Sequence, residues 1–140
     1  MEGMTDQMIQ EELAGAWDTV LLRNPCKEGF HDFLRDELVE VGVRLGFQAH
    51  AEFQVGPVYH AHKRAFIDVI WRDQSDIPRL LLEIDDGSNI RAIKKLLDNQ
   101  ACLRIWFGYG QENTFLRALK KHAGPHGAAI VLLVKPSPFG

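Results

Sequence analysis

The sequence predicts an α/β protein in which a mixed central β-sheet is flanked by helices. Apolar residues recur at helical spacing in two segments within the first 45 residues, which indicates two amphipathic helices. Three strand-like segments then follow closely enough to form a meander. The last two strand-like segments each follow a helix, as in the crossover connections of parallel strands. The predicted order is helix, helix, three strands, helix, strand, helix, strand.

The first helix is expected to begin near Thr5 or Asp6, because either side chain can cap it. "RNPCKEG", residues 23–29, interrupts the helical pattern with a proline and a glycine. The second helix is expected to run from about Glu28 to Leu45. The two apolar stripes consist of Ile9, Leu13, Ala16, Trp17, Val20 and Leu21, and of Phe30, Leu34, Leu38, Val41 and Leu45.

The period of the apolar pattern then changes to two. "FQAHAEFQV" (residues 47–55) alternates and predicts a strand, whereas "GPVYHAHKR" (56–64) predicts a polar loop or hairpin. "AFIDVIW" (65–71) is rich in β-branched and aromatic residues, which favour strands. "RLLLEID" (79–85) is the third strand, and its continuous apolar run indicates burial on both faces.

The remaining segments alternate between helix and strand. Ser88 or Asn89 can cap the next helix. "CLRIWF" (102–107) predicts a strand, "TFLRALKKHAG" (114–124) a short helix, and "AAIVLLVKP" (128–136) a last buried strand. The apolar stripe of the helix after residue 89 is expected to consist of Ile90, Ile93, Leu96 and Leu97.

The length and composition indicate a single domain of 140 residues, of which 46% are hydrophobic. The net charge of -3 argues against nucleic-acid binding through a bulk basic field, but it allows a local basic groove. Cys26 and Cys102 lie far apart in the sequence, which fits a reducing compartment. We see no signal peptide and no apolar run long enough to cross a bilayer. We therefore expect a cytoplasmic protein with no membrane partner.

The stretch "LLLEIDDG", residues 80–87, places three carboxylates directly after a run of leucines. Glu83 and Asp85 point the same way because alternate residues of a strand share a face. Asp68 lies among apolar residues of the preceding strand, and burying its carboxylate costs free energy unless a partner is present. Because a short turn links the two strands, Asp68 and Glu83 are expected to converge at one end of the sheet.

Two convergent carboxylates can hold a hard divalent cation such as Mg²⁺. The backbone carbonyl of Ile84 could serve as a further ligand. Such an ion can activate water and stabilise charge on a phosphodiester. Lys94 or Lys95 on the following helix could reach back to the site, and Lys94 is the geometric favourite because it borders the apolar stripe.

"FID" and "LLLEID", together with the order of elements, resemble the PD-(D/E)xK nuclease superfamily and its restriction-endonuclease-like fold. That core is a helix, three strands, a helix and a strand. Asp68 matches the aspartate on the second strand, and Glu83 matches the acidic position on the third. The resemblance covers roughly residues 28–134, which would form the nuclease-like core, with residues 1–24 as an N-terminal helical extension.

Two positions depart from the family pattern. Ile67 stands where the family often has proline, and Asp85 stands where the lysine is expected. Members of the superfamily can supply the lysine from a neighbouring element, so Lys94 or Lys95 could be a migrated lysine. Asp85 could instead be a third metal ligand, or the mark of a domain that has lost catalysis.

The resemblance also implies accessory residues. Family members often carry a glutamate on the helix before the first strand, for which Glu37 is a candidate and Glu28 a weaker one. "HAHKR" (60–64) has a spacing that could bind a metal, but no third ligand is nearby, so a solvated hairpin tip is favoured. If the resemblance to nucleases holds, this tip is expected to contact phosphate. The candidate nucleic-acid contacts are His62, Lys63, Arg64 and Arg91.

The resemblance implies an enzyme that uses Mg²⁺ or Mn²⁺ to cleave phosphodiester bonds, with DNA favoured over RNA. Specificity would come from loops, a homodimer or a partner protein. An inactive copy of the fold that binds nucleic acid or protein is the main alternative, and Asp85 favours it. An unrelated α/β domain whose acidic residues are solvated is the third.

Overall fold

The computed structural model describes residues 4–59, 63–87 and 89–140. Five strands form one mixed sheet in the order in which they occur along the chain. Their bounds are β1 (Gln48–Tyr59), β2 (Lys63–Arg72), β3 (Pro78–Asp85), β4 (Leu103–Tyr109) and β5 (Val131–Lys135). The helices are α1 (Asp6–Leu22), α2 (Phe30–Arg44), α3 (Arg91–Asp98) and α4 (Glu112–Ala123), and a 3₁₀ helix (Gly124–Ala129) precedes β5.

The direction of each strand follows from the length of its connection. β1, β2 and β3 are joined by short links and pair antiparallel. β3, β4 and β5 pair parallel, and α3 and α4 provide the crossovers between them. The predicted α/β class, the mixed sheet and the order of elements are therefore confirmed.

Helices α1 and α2 cover one face of the sheet. α1 begins as predicted, because Thr5 Oγ1 accepts a hydrogen bond from the Met8 N–H at 3.1 Å. The helix that was expected to be an N-terminal extension is an integral part of this core. The core on this face includes Ile9, Leu13, Trp17 and Val20 of α1, Phe30, Leu34, Leu38 and Val41 of α2, and Leu80, Leu82 and Ile84 of β3.

Helices α3 and α4 cover the opposite face, and the predicted stripe of α3 is wrong at Ile90. The Ile90 side chain is 49% exposed, whereas Ala92 is buried and takes its place in the stripe. The buried side of α3 is therefore rotated toward Ala92, which changes the lysine that borders it. This second core includes Ile67, Ile70, Leu81, Ala92, Ile93, Leu96, Trp106 and Phe115.

The edge position of β5 corrects a further expectation. The last strand was predicted to be buried, but every residue of Val131–Lys135 is only partly buried. The reason is that β5 pairs with β4 on one side and is the last strand in the order of the sheet. β3 lies in the centre, and its residues from Leu80 to Asp85 are all buried, as the apolar run predicts.

Two further expectations concern the environment of the chain. No helix in the described ranges combines the length and the apolar character that crossing a bilayer requires. Cys26 and Cys102 are free and exposed.

Candidate functional site

Strands β2 and β3 separate at one end, and two carboxylates take over the hydrogen bonds of the strand pair there. Regular pairing ends where Val69 lies opposite Leu82. Beyond this point, the Asp68 N–H donates to Glu83 Oε2 at 2.9 Å. The Ile84 N–H donates to Asp68 Oδ2 at 2.8 Å. Asp68 and Glu83 therefore lie on adjacent strands and are joined through the backbone, as the strand spacing predicts.

At the same point the alternation of side chains along β2 reverses. Residues two positions apart normally share a face of the sheet, but here they do not. On β2, Val69 faces the core beneath α1 and α2, whereas Ile67 faces the core beneath α3 and α4. Asp68 lies between these two residues. On the neighbouring strand β1, Glu52 has a left-handed backbone with φ of 50°, which is uncommon for a residue other than glycine. At this reversal the Asp68 carboxyl contacts both the Ile84 N–H of β3 and the His31 ring of α2.

Lys95 is the lysine that contacts the carboxylates. Its Nζ contacts Glu83 Oε1 and donates to the backbone carbonyl of Phe66 at 3.0 Å. Lys94, the favoured candidate, forms an ion pair with Asp98 at 3.1 Å on its own helix. The choice of Lys94 is wrong because the buried side of α3 is rotated, so that Lys95 rather than its neighbour borders it.

His31 is a site residue that the sequence analysis missed. It lies in the first turn of α2, and its Nε2 is 3.2 Å from Asp68 Oδ2. Its Nδ1 is 3.1 Å from Asp32 Oδ1. In the sequence, only the position of His31 indicates this role. It is a titratable side chain directly after Phe30, the first buried residue of the helix. No motif marks it, because the contact depends on how α2 packs over β2.

His31 and Asp68 favour each other's charged forms. The hydrogen bond with Asp68 raises the pKa of His31 to about 9, against the opposing effect of burial. Burial disfavours ionisation of Asp68, but hydrogen bonds with His31, Glu83 and the Ile84 N–H together lower the pKa of this carboxyl. The pair is therefore ionised at neutral pH.

Glu83 lies in the least favourable environment for a negative charge. Its side chain is 2% exposed. Burial, and next the negative charge of Asp68, raise the pKa of Glu83 to about 8, and Lys95 offsets only part of this effect. The Glu83 carboxyl is thus held in a place where an additional cation would favour its ionised form.

Asp85 closes the turn between β3 and α3. Its Oδ1 accepts the Gly87 N–H at 3.2 Å, and its Oδ2 accepts the Asn89 N–H at 3.1 Å. Burial raises the pKa of Asp85, although these backbone hydrogen bonds oppose the shift. The contacts of Asp85 are those of a residue that caps a loop.

Several predicted site residues lie elsewhere. Glu37 forms an ion pair with Arg23 at 3.3 Å, which ties α2 to the end of α1. Glu28 is exposed in the segment before α2. Arg91 is exposed at the first position of α3. Glu37 and Glu28 are not among the described residues that line the site cavity, so the expected catalytic glutamate on α2 does not join it.

The candidate phosphate contacts of the hairpin are only partly described. Lys63 and Arg64 begin β2, and their backbones pair with Tyr59 and Val58 of β1. His62 lies outside the described residues, as does Ser88, which was a candidate helix cap.

A solvent-open cavity of about 240 Å³ lies over the paired carboxylates. It is a recess in which small polar groups can approach both carboxyl groups from the solvent. The lining includes His31, Asp68, Glu83, Asp85, Asn89, Lys95 and Tyr109.

The donor atoms at this cavity are of the type that Mg²⁺ prefers, because carboxylate and carbonyl oxygens are hard ligands. In the part of the chain that the structure describes, no group of three or more His, Cys, Asp or Glu side chains is arranged to hold a metal ion. The predicted set contains two such side chains, Asp68 and Glu83. Further ligands would be the Ile84 carbonyl, water or substrate oxygens.

The stability of the metal-free protein is expected to depend on His31 in a pH-dependent way. Because the pKa of His31 is raised from 6.5 to about 9, its contribution is complete below pH 6.5 and disappears as the pH rises through 9. The side chain is 38% exposed. Solvent screening therefore limits the contribution to about 1 kcal/mol.

Urea unfolding of the wild type and of His31→Gln tests this expectation. The difference in unfolding free energy should be about 1 kcal/mol near pH 6 and close to zero above about pH 9.5. A difference that stays constant across this range would contradict the ionic role of His31.

Comparisons with protein-family models, with curated proteins and with solved structures gave no match. The fold and the site define the chain as an α/β protein that carries two paired carboxylates at the open end of a mixed five-stranded sheet.

Proposed function

We propose that this protein is a nuclease that uses Mg²⁺ or Mn²⁺ to hydrolyse phosphodiester bonds, with DNA as the favoured substrate. The observation that carries the proposal is the meeting of Asp68, Glu83 and Lys95 at the separated ends of β2 and β3. The order α2, β1, β2, β3, α3, β4 also agrees with the order implied by the resemblance to the PD-(D/E)xK superfamily.

Asp68 and Glu83 would hold the metal ion, with the Ile84 carbonyl as a further ligand. The bound ion would lower the pKa of a water molecule and stabilise negative charge on the phosphate. The raised pKa of Glu83 supports this assignment, because burial and a neighbouring carboxylate disfavour its charge until a cation is present.

Lys95 and His31 have separate roles in the proposed site. The Lys95 side chain is 20% exposed and lines the cavity, so its ammonium could turn from Glu83 to a phosphate oxygen or to the attacking water. There it would stabilise the charge that develops in the transition state. His31 orients the Asp68 carboxyl through Oδ2.

Lys95→Gln is expected to lower the cleavage rate at saturating metal by about 100-fold, because it removes one preorganised group that stabilises the transition state. Lys94→Gln is the matched control, since it removes the same charge from the adjacent position of α3. Steady-state cleavage of a labelled DNA by both variants provides the measurement. Equal losses in the two variants would rule out a site role for Lys95.

A second candidate function is a binding module that has lost catalysis. Two observations favour it: the carboxyl of Asp85 is engaged by backbone N–H groups, and Lys95 and His31 already contact the carboxyls of Glu83 and Asp68. A module of this kind would bind nucleic acid or protein without cleaving it.

A cleavage assay separates the two functions. Purified protein is incubated with duplex, single-stranded and branched nucleic acids in the presence of Mg²⁺ or Mn²⁺. A nuclease should cleave at least one substrate and stop when the metal is chelated. Binding of a substrate without cleavage under either metal would favour the module.

The Asp85→Lys variant introduces the lysine that the family pattern has at this position. Together with Asp85→Asn, it tests whether the carboxylate of Asp85 contributes to catalysis. If the Asp85 carboxylate has no role in catalysis, the Asp85→Lys variant should retain or gain activity, because the new ammonium can stabilise charge on the phosphate. If Asp85 assists the metal, Asp85→Asn should lose activity as the other carboxylate variants do.

A further inference from the structure

Charge is distributed unevenly between the two faces of the sheet. Residues 91–121, which include α3, β4 and most of α4, contain seven lysines and arginines against two acidic residues. Residues 1–46, which include α1 and α2, contain four against ten. The net charge of -3 therefore conceals a basic α3–α4 face opposite an acidic α1–α2 face.

Three of the four cations of the α1–α2 face, all of them arginines, have acidic partners within the protein. Arg23 pairs with Glu37, and Arg44 pairs with Glu12 at 3.7 Å. Arg35 contacts three acidic residues, Asp32, Asp36 and Glu52. The charges of these three arginines are therefore already paired with carboxylates of the protein itself.

The cations of α4 differ in this respect. Arg117, Lys120 and Lys121 are exposed, and their spacing of three and four residues places them on one side of the helix. Within the described ranges, none of the three has an acidic partner, and Arg117 Nε donates only to the Asn113 carbonyl of its own helix at 3.4 Å. Like charges at this spacing oppose helix formation by a few tenths of a kcal/mol, so the cluster does not serve the stability of α4 through pairing.

Two cavities adjoin α3, one at the carboxylates and one toward α4. Lys95 lines the site cavity, and the adjacent Lys94 lines a second cavity of about 390 Å³ between α3 and α4. Arg91 and His122 also line this second cavity. A ligand that extends from the carboxylates along α3 would therefore pass Arg91 and Lys94 and approach α4 at His122.

We propose that the α3–α4 face binds the phosphate backbone of DNA, with Arg91, Arg117, Lys120 and Lys121 as the contacts. The inference rests on the proposed nuclease function, to which it adds the surface that holds the substrate. A row of exposed cations without acidic partners matches the charge of phosphodiester groups, and such contacts position a nucleic acid without reading its sequence. An overall negative charge is compatible with this mode because the acidic residues lie mainly on the opposite face.

Fluorescence anisotropy with a labelled DNA duplex in EDTA tests the proposal without cleavage. The triple variant Arg117→Gln/Lys120→Gln/Lys121→Gln keeps good helix formers on α4. Its affinity is expected to fall by about tenfold or more at low salt, and the slope of log K against log salt by about 0.9 for each lost phosphate contact. Arg117→Gln and Arg44→Gln form a matched pair, because each removes one exposed arginine charge from a helix; only Arg117→Gln should weaken binding.

Three results would overturn the proposal: no DNA binding by the wild type, an unchanged affinity and salt slope in the triple variant, or tighter binding to an RNA duplex of the same sequence. Metal-dependent cleavage is measured separately with Asp68→Asn at low salt. Metal-dependent cleavage by the wild type that Asp68→Asn lacks, together with normal DNA binding by the triple variant, would refute the surface alone. Binding that depends on the three cations without any metal-dependent cleavage would refute the nuclease alone.

Discussion

Asp68→Asn and Glu83→Gln are expected to remove metal-dependent cleavage of DNA. Each change keeps the shape of the side chain but removes the negative charge that would hold the ion. Loss of an outer hydrogen-bond partner of a metal ligand already costs about 10- to 100-fold in affinity or activity, so loss of a ligand should cost more. We therefore expect cleavage below about one hundredth of the wild-type rate for either variant.

The same two variants should lose binding of Mn²⁺ in calorimetry, which is a measurement independent of catalysis. Asp18→Asn is the matched control, because Asp18 is exposed on α1 and is not among the described residues that line the site cavity. It should bind metal and cleave DNA as the wild type does. Circular dichroism would establish that both site variants remain folded.

Retention of metal-dependent cleavage by Asp68→Asn or Glu83→Gln would exclude the proposed metal site. Parallel loss in the Asp18→Asn control would instead show that the effect comes from overall charge. A folded wild type that cleaves nothing with either metal would end the enzyme proposal for this chain.

Gly42→Ala is expected to destabilise the protein, although alanine is the better helix former. Gly42 is a buried position of α2, and an added Cβ would overlap the indole ring of Trp71, with Cδ1 only 2.7 Å away. The ring cannot easily yield: it is fully buried, stacks on Phe47 and donates from Nε1 to the Leu38 carbonyl at 3.2 Å. Overpacking of this kind costs about 1–3 kcal/mol.

Gly15→Ala provides the matched control. Gly15 lies on the exposed side of α1, and an added Cβ would meet no atom within 4 Å. The control should therefore gain about 0.5–1 kcal/mol from reduced backbone entropy in the unfolded state. Calorimetry should show a Tm lower by about 5–10 °C for Gly42→Ala and higher by a few degrees for Gly15→Ala. A Tm of Gly42→Ala at or above that of the wild type would show that α2 can shift away from Trp71.

Much of the site could be anticipated because it follows from local rules. The short turn between β2 and β3 makes them neighbours, and their antiparallel pairing brings the positions of Asp68 and Glu83 together. The choice of lysine could not be anticipated in the same way. It depends on the rotation of α3 about its axis, which Ala92 decides by packing against the sheet in place of Ile90.

By itself, the sequence determined the α/β class, the order of elements and the burial of β3, because the periods of helix and strand are local properties of the chain. It narrowed the cap of α1 to Thr5 or Asp6, and the structure shows Thr5. Only the tertiary structure decided the contacts of His31 and the position of the Asp68 carboxyl. The first depends on the packing of α2 over β2, and the second on the point where the regular pairing of β2 with β3 ends. Both arise between elements distant in the sequence, where no periodic pattern can specify them.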